Sequence, residues 1–251
     1  MQNQVLPSTR HSLHTLDPAP VVAQIEYGFA RLDGLLAEQM GSAQAAGDLV
    51  TAPSHLPGWS RGHVLTHLEQ VAHAIAGQAH AALRSELVDM YPGGPSSRDM
   101  AIEAGASRSC AQLRSALEQA AARLSAMWQQ VKPRDWQRPV RFRSATLIDT
   151  VLCMWREIEI HSVDVDLGYR ADTWSAEFCT HLVEFLRPRC PEGQQLVLIA
   201  SDADQQWTLG TGPAVTVTGP RNDLAAWLAG RVPARPLATS DGAVPELGPW
   251  P

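Results

Sequence analysis

The chain has 251 residues, 45% of them hydrophobic, which suffices for one large domain or two small ones around a sizeable core. Its formal charge of −6 comes without a Lys/Arg cluster, Lys132 being the lone lysine, so the one-sided positive charge of a DNA or RNA binder is missing. No stretch reaches the roughly eighteen consecutive apolar residues of a membrane helix. The N-terminus has no basic segment followed by an apolar one, so neither a membrane partner nor a secretory signal is expected.

Residues 1–17 read as a flexible leader, closed by Pro18 and Pro20. Beyond it Val21, Ile25, Phe29, Leu32 and Leu36 recur close to the helical period and predict a first helix. After the loop APSHLPGW, Ser60 is a candidate N-cap for a second helix from Arg61 to about Leu87, with Val64, Leu68, Val71 and Ile75 on its apolar face. MYPGGPSS reads as a break, the alanine-rich segment from about Ser107 to Val131 predicts a third helix, and a fourth is expected from about Ser144 to Leu167, ended by Gly168. Such helices imply an antiparallel four-helix bundle over residues 18–170.

The pattern then changes. SAEFCTHLVEFLRPR is helical, QLVLIA, QQWTLG and AVTVTG have strand composition, and NDLAAWLAGR is helical again. Residues 171–251 are therefore expected to form a smaller α/β domain with a Pro/Gly-rich tail as an extended strap, which makes the whole an α+β protein. No extended apolar stripe is left over, so a monomer is expected. Cys110, Cys153, Cys179 and Cys190 show no C-x-x-C spacing, which fits a reducing cytoplasm better than a disulfide framework or zinc knuckle.

The residue types that carry chemistry fall in WSRGHVLTHLEQ and WREIEIHSVD. Glu157 and His161 are four apart, so on a helix they face one point, and His67 on another helix could supply a third donor. Two imidazoles and one carboxylate suit a zinc ion whose fourth position is left to water or a thiol. His63 lies four residues before His67 and competes for the same place; spacing does not choose between them. Glu159 lies about 200° around the helix from His161 and faces elsewhere. Trp59 and Trp155 read as core packing. Tyr91 either meets a substrate or packs, and Asp164 either orients His161 or solvates the helix end.

LPGWSRGHVLTHL at 56–68, MYPGG at 90–94 and WREIEIHSVDVDLG at 155–168 resemble the mycothiol-dependent maleylpyruvate isomerases, a branch of the DinB-like metal-binding four-helix bundles. The resemblance runs over nearly the whole chain after the leader. It implies His67, Glu157 and His161 as the zinc ligands, with His63 structural. It also implies that Arg231, in WLAGRVPAR, reaches the active site from the C-terminal domain; Arg235 is the alternative should the alignment slip. One departure stands out. Where relatives often read HLARNAD after the ligand, this chain has Val71 and His73 in place of the Asn and Asp, which puts the ligand contacts of that helix in question.

The activity implied by the resemblance is cis-trans isomerisation of maleylpyruvate to fumarylpyruvate in gentisate-type aromatic catabolism. The implied cofactors are Zn2+ and a low-molecular-weight thiol, mycothiol or glutathione, and the implied partner is a small dicarboxylate. A thiolate stabilised by the cation adds to the alkene, the resulting single bond turns, and the thiolate is expelled. Arg231 suits the carboxylates and developing negative charge. A thiol S-transferase would need the same thiolate, and a non-catalytic zinc-binding regulatory module would saturate the metal or lack it.

Overall fold

Apolar residues one helical turn apart build the first unit from the inside. The computed structural model describes residues 17–40 and 49–251; the expected leader, Asp17 apart, lies outside the described residues. The described residues form two compact units, one of residues 17–40, 49–52 and 59–158, the other of 53–58 and 159–251.

In the first unit α1 (Ala19–Gln39) starts directly after Pro18, with Pro20 in its first turn, where a missing N–H is harmless. It buries Val21, Ile25, Phe29, Leu32 and Leu36, the predicted stripe. α2 (Arg61–Leu83) starts at Ser60 and buries Val64, Leu68, Val71 and Ile75. It stops four residues short of the predicted end because Ser85 turns left-handed, φ 62°, a conformation no glycine announced.

The predicted break after α2 contains another helix, α3 (Gly94–Gly105). Gly93 and Gly94 take positive φ, and Pro95 then sits in the first turn, so a PGGP run that reads as loop is a helix start. α4 (Cys110–Trp128) is shorter than expected at both ends and opens with a capping box of Ser109 and Gln112. α5 (Leu147–Asp164) also ends early: Asp166, φ 59°, turns the chain before Gly168, φ 93°, can do so. α2 packs on α4 and α3, and α1 on α4. Two glycines permit close approach. A Cβ on Gly28 would lie 2.9 Å from Ile158 Cγ1, and one on Gly62 2.1 Å from the Ala106 carbonyl oxygen.

The second unit holds α6 (Ala176–Phe185), β1 (Gln195–Ala200), β2 (Gln206–Gly210), β3 (Ala214–Gly219), α7 (Arg221–Leu228) and β4 (Ala238–Thr239). The sheet order is β2-β1-β3-β4, with β1 antiparallel to β2 but parallel to β3. Leu196 and Leu198 face Val215 and Val217 across the parallel pair and Leu209 and Trp207 across the antiparallel one, all buried on one face. α7 packs on α6 and against β1 and β3. The tail contributes β4 and then pairs with the 3-10 turn after α6, the Gly248 N–H donating to the Arg189 carbonyl at 2.9 Å. Together the units realise the expected α+β fold, a helical bundle with a smaller α/β part. Among the described residues no helix is long and apolar enough to cross a membrane.

Candidate metal centre

His67 lies in the second turn of α2, whose start is fixed by an unusual capping box. Ser60 Oγ accepts from the His63 N–H, and the His63 ring returns to Ser60, Nδ1 lying 3.1 Å from the backbone N and 2.7 Å from Oγ. The other His63 nitrogen, Nε2, meets Glu103 at 3.1 Å. Both ring nitrogens of His63 thus have hydrogen-bond partners of their own. The Trp59 ring stacks on His63 and meets His67 edge-on at 5.7 Å between centroids, so this tryptophan packs the two histidines in place.

His67 Nε2 lies 2.8 Å from Glu157 Oε2, and one turn along α5 stands His161. The three residues each offer one donor atom, all within 4.8 Å of one another. Bonds of about 2.1 Å in a tetrahedron would put such atoms about 3.4 Å apart, a gap that small side-chain rotations close. His67 is nearly covered, whereas Glu157 is about a quarter exposed, so the group is reachable from solvent on the carboxylate side. This donor set fits a divalent first-row ion; imidazole and carboxylate accept zinc, iron, cobalt or nickel alike.

Asp164 is fully buried, and its Oδ2 lies 2.8 Å from His161 Nδ1. The carboxylate fixes the ring with its proton on Nδ1 and its lone pair on Nε2, the arrangement that ligand histidines use. Burial opposes the charge on Asp164, but hydrogen bonds from His161 and Arg231 outweigh it and hold the carboxyl below its usual range. Of the sequence alternatives, Arg231 reaches this carboxylate, with Nε 3.0 Å from Oδ1 and Nη2 2.5 Å from Oδ2. Arg235 instead binds Asp223 at 2.8 Å. The guanidiniums of Arg231 and Arg189 each stand over the Trp250 ring, at 5.9 and 5.8 Å, so the tail strap packs against the arginine. Glu159 faces away as expected, buried and accepting a hydrogen bond from the Tyr169 hydroxyl. Trp155 lies in the core, as does Val71.

Near the candidate cluster, Arg98 escaped the sequence reading altogether, and the placement of Tyr91 and Cys153 was not foreseen. Arg98, on the missed helix α3, places Nη2 3.1 Å from His67 Nδ1. Its guanidinium stands 5.8 Å from the Tyr91 ring centre. Burial, partly offset by Arg98, pushes the Tyr91 phenol up to about 12. A Pro three residues before Arg98, read as a first-turn residue rather than a breaker, was the signal that could have found that helix. Cys153, one turn before Glu157, is buried, and desolvation pushes its thiol up to about 12.

A DinB-like helical bundle carrying a two-histidine, one-carboxylate cluster and followed by a small mixed sheet defines the class. Residues 29–166 match the family model described as the mycothiol maleylpyruvate isomerase N-terminal domain, and residues 173–249 match the corresponding C-terminal domain. The chain belongs to the mycothiol maleylpyruvate isomerase family. Two solved structures share its fold. One is of the mycothiol-dependent maleylpyruvate isomerase, at 23% identity and TM-score 0.81. The other is of a histidine-to-alanine mutant of the mycothiol-dependent maleylpyruvate isomerase, at 22% and 0.82. Each alignment covers 96% of this chain and 100% of the other. No curated protein matches.

Proposed function

We propose that this chain is a thiol-dependent maleylpyruvate isomerase, in which residues 18–170 hold a zinc ion and residues 171–251 supply an arginine. The observation that carries the reading is the convergence of His67, Glu157 and His161, with His161 oriented by a buried carboxylate that also binds Arg231. Zinc held by these three residues would stabilise the thiolate of mycothiol, or of glutathione, and a thiolate supplies the reversible addition that frees the double bond to turn.

The chain's own thiols do not fill that role. Cys110, Cys153 and Cys179 are buried, and burial pushes the Cys153 thiol, the one nearest the cluster in sequence, up to about 12, which supports a nucleophile supplied from outside the chain. His67 and His161 hold their rings against Trp59 and Asp164, so little rotamer entropy remains to be lost when they act as ligands. Arg231 is held near His161 by its twofold grip on Asp164, while Nη1 meets the Ala229 carbonyl at 2.6 Å. A guanidinium has five N–H groups, so donors remain to bind a substrate carboxylate and the negative charge that grows on the neighbouring carbonyl oxygen. The cytoplasm, a small dicarboxylate substrate and a monomeric chain complete the reading.

The test is metal content together with turnover. His67→Ala and Glu157→Gln should each lose bound zinc and isomerase activity, whereas His63→Ala should keep the zinc. Zinc and activity retained in His67→Ala would overturn the assignment.

A further inference from the structure

Arg98 stands against His67, one member of the candidate cluster. Its side chain is 27% exposed, while His67 behind it is only 6% exposed, so a solvated cation covers a buried imidazole. Nη2 meets His67 Nδ1 at 3.1 Å, Nη1 meets Asp99 at 2.8 Å, and the guanidinium lies over Tyr91.

A guanidinium can only donate. Its N–H therefore takes the Nδ1 lone pair, and the ring proton belongs on Nε2, where it donates to Glu157. Metal ligation and this contact exclude each other on one neutral ring. If Nδ1 were the ligating atom, metal and Arg98 would compete for one lone pair. If it were Nε2, the ring proton would sit on Nδ1 and confront the Arg98 donor. On either geometry Arg98 has to leave His67, and it leaves as a planar fork of donors beside the phenol hydroxyl of Tyr91, a pair suited to a carboxylate.

We propose that Arg98 is a carboxylate-binding arm that exchanges His67 for an anionic ligand, so that metal at His67 and a carboxylate at Arg98 strengthen each other's binding. This rests on the metal reading above and adds to it an anchor for one carboxylate of the dianionic substrate on the helical unit. By linkage the coupling is reciprocal, and couplings of this kind are typically about 5- to 150-fold.

The experiment measures zinc affinity of the full chain by competition with a chromophoric chelator, with and without succinate, a dicarboxylate that has no double bond to turn. In the unmodified protein succinate should tighten zinc binding about tenfold. Arg98→Gln, relieved of the competing donor, should bind zinc more tightly without succinate and lose the succinate response; Arg98→Lys, which keeps the charge, should retain part of it. Equal zinc affinity and equal succinate response in the unmodified protein and Arg98→Gln would overturn the inference alone. Zinc that fails to bind, or that binds His67→Ala equally well, would overturn the metal reading and this inference with it.

Discussion

Arg231 grips both oxygens of Asp164, at 3.0 and 2.5 Å, and the same carboxylate holds His161 at 2.8 Å, so one buried acid links the arginine to the histidine. A carboxylate shared in this way fixes the direction of the His161 lone pair and the position of a cation beside it. Replacement of Arg231 by Met should lower isomerase turnover by about 10²- to 10³-fold, the usual cost of removing a donor to developing negative charge. Arg235→Met should change it little, because that arginine is bound to Asp223. Steady-state kinetics of the two variants make the comparison.

Asp164 also makes a pH prediction. Its carboxyl is held below the ordinary range in the folded chain, so its stabilising effect is complete above the unfolded value of about 3.9 and is lost as pH falls through the lower folded value. Asp164→Asn removes the carboxylate that faces Arg231 and should cost about 3 kcal/mol at pH 7, with the gap to the unmodified protein smaller at pH 3. Urea unfolding at the two pH values measures it.

His63 and His67, four residues apart, should separate cleanly. His63→Ala removes half of a capping box and should cost about 1 kcal/mol of stability with bound metal retained. His67→Ala should abolish metal binding. Metal analysis beside thermal unfolding distinguishes them.

Gly62→Ala should destabilise the protein by about 2 kcal/mol or more, although alanine is the better helix former by about 1 kcal/mol. The added Cβ would press on the Ala106 backbone, which has no flexible end to give way. A fall in the unfolding midpoint checks this; a rise would show that the helices can part at no cost.

Thiol reactivity tests the claim that the nucleophile is external. Cys110, Cys153 and Cys179 are buried, and only Cys190 is partly exposed. The native protein should titrate at most one thiol with a disulfide reagent, and all four in denaturant.

Much of the helical unit was legible because its stripes are regular: each predicted core residue of α1 and α2, from Val21 to Ile75, is buried. The strands were equally readable, since QLVLIA and AVTVTG alternate in a register that leaves every second side chain covered. Helix ends were less so. Ser85 and Asp166 take left-handed φ without being glycine, and nothing local in sequence marks them. The expected ligand set came from a resemblance, not from spacing, which left His63 and His67 equal. In the structure His63 differs from His67 by its local bond to Ser60 and its long-range contact with Glu103. Arg98 was hidden because its partner His67 is 31 residues away, across a run whose prolines and glycines read as loop.

The most direct test of the central claim is maleylpyruvate conversion followed by absorbance, using zinc-loaded protein with mycothiol, glutathione, cysteine or no thiol. The account predicts turnover that requires one thiol, leaves that thiol unconsumed, stops with a chelator and returns with zinc. Zinc-loaded protein that turns over no substrate with any thiol, or that consumes the thiol in forming a stable conjugate, would contradict it.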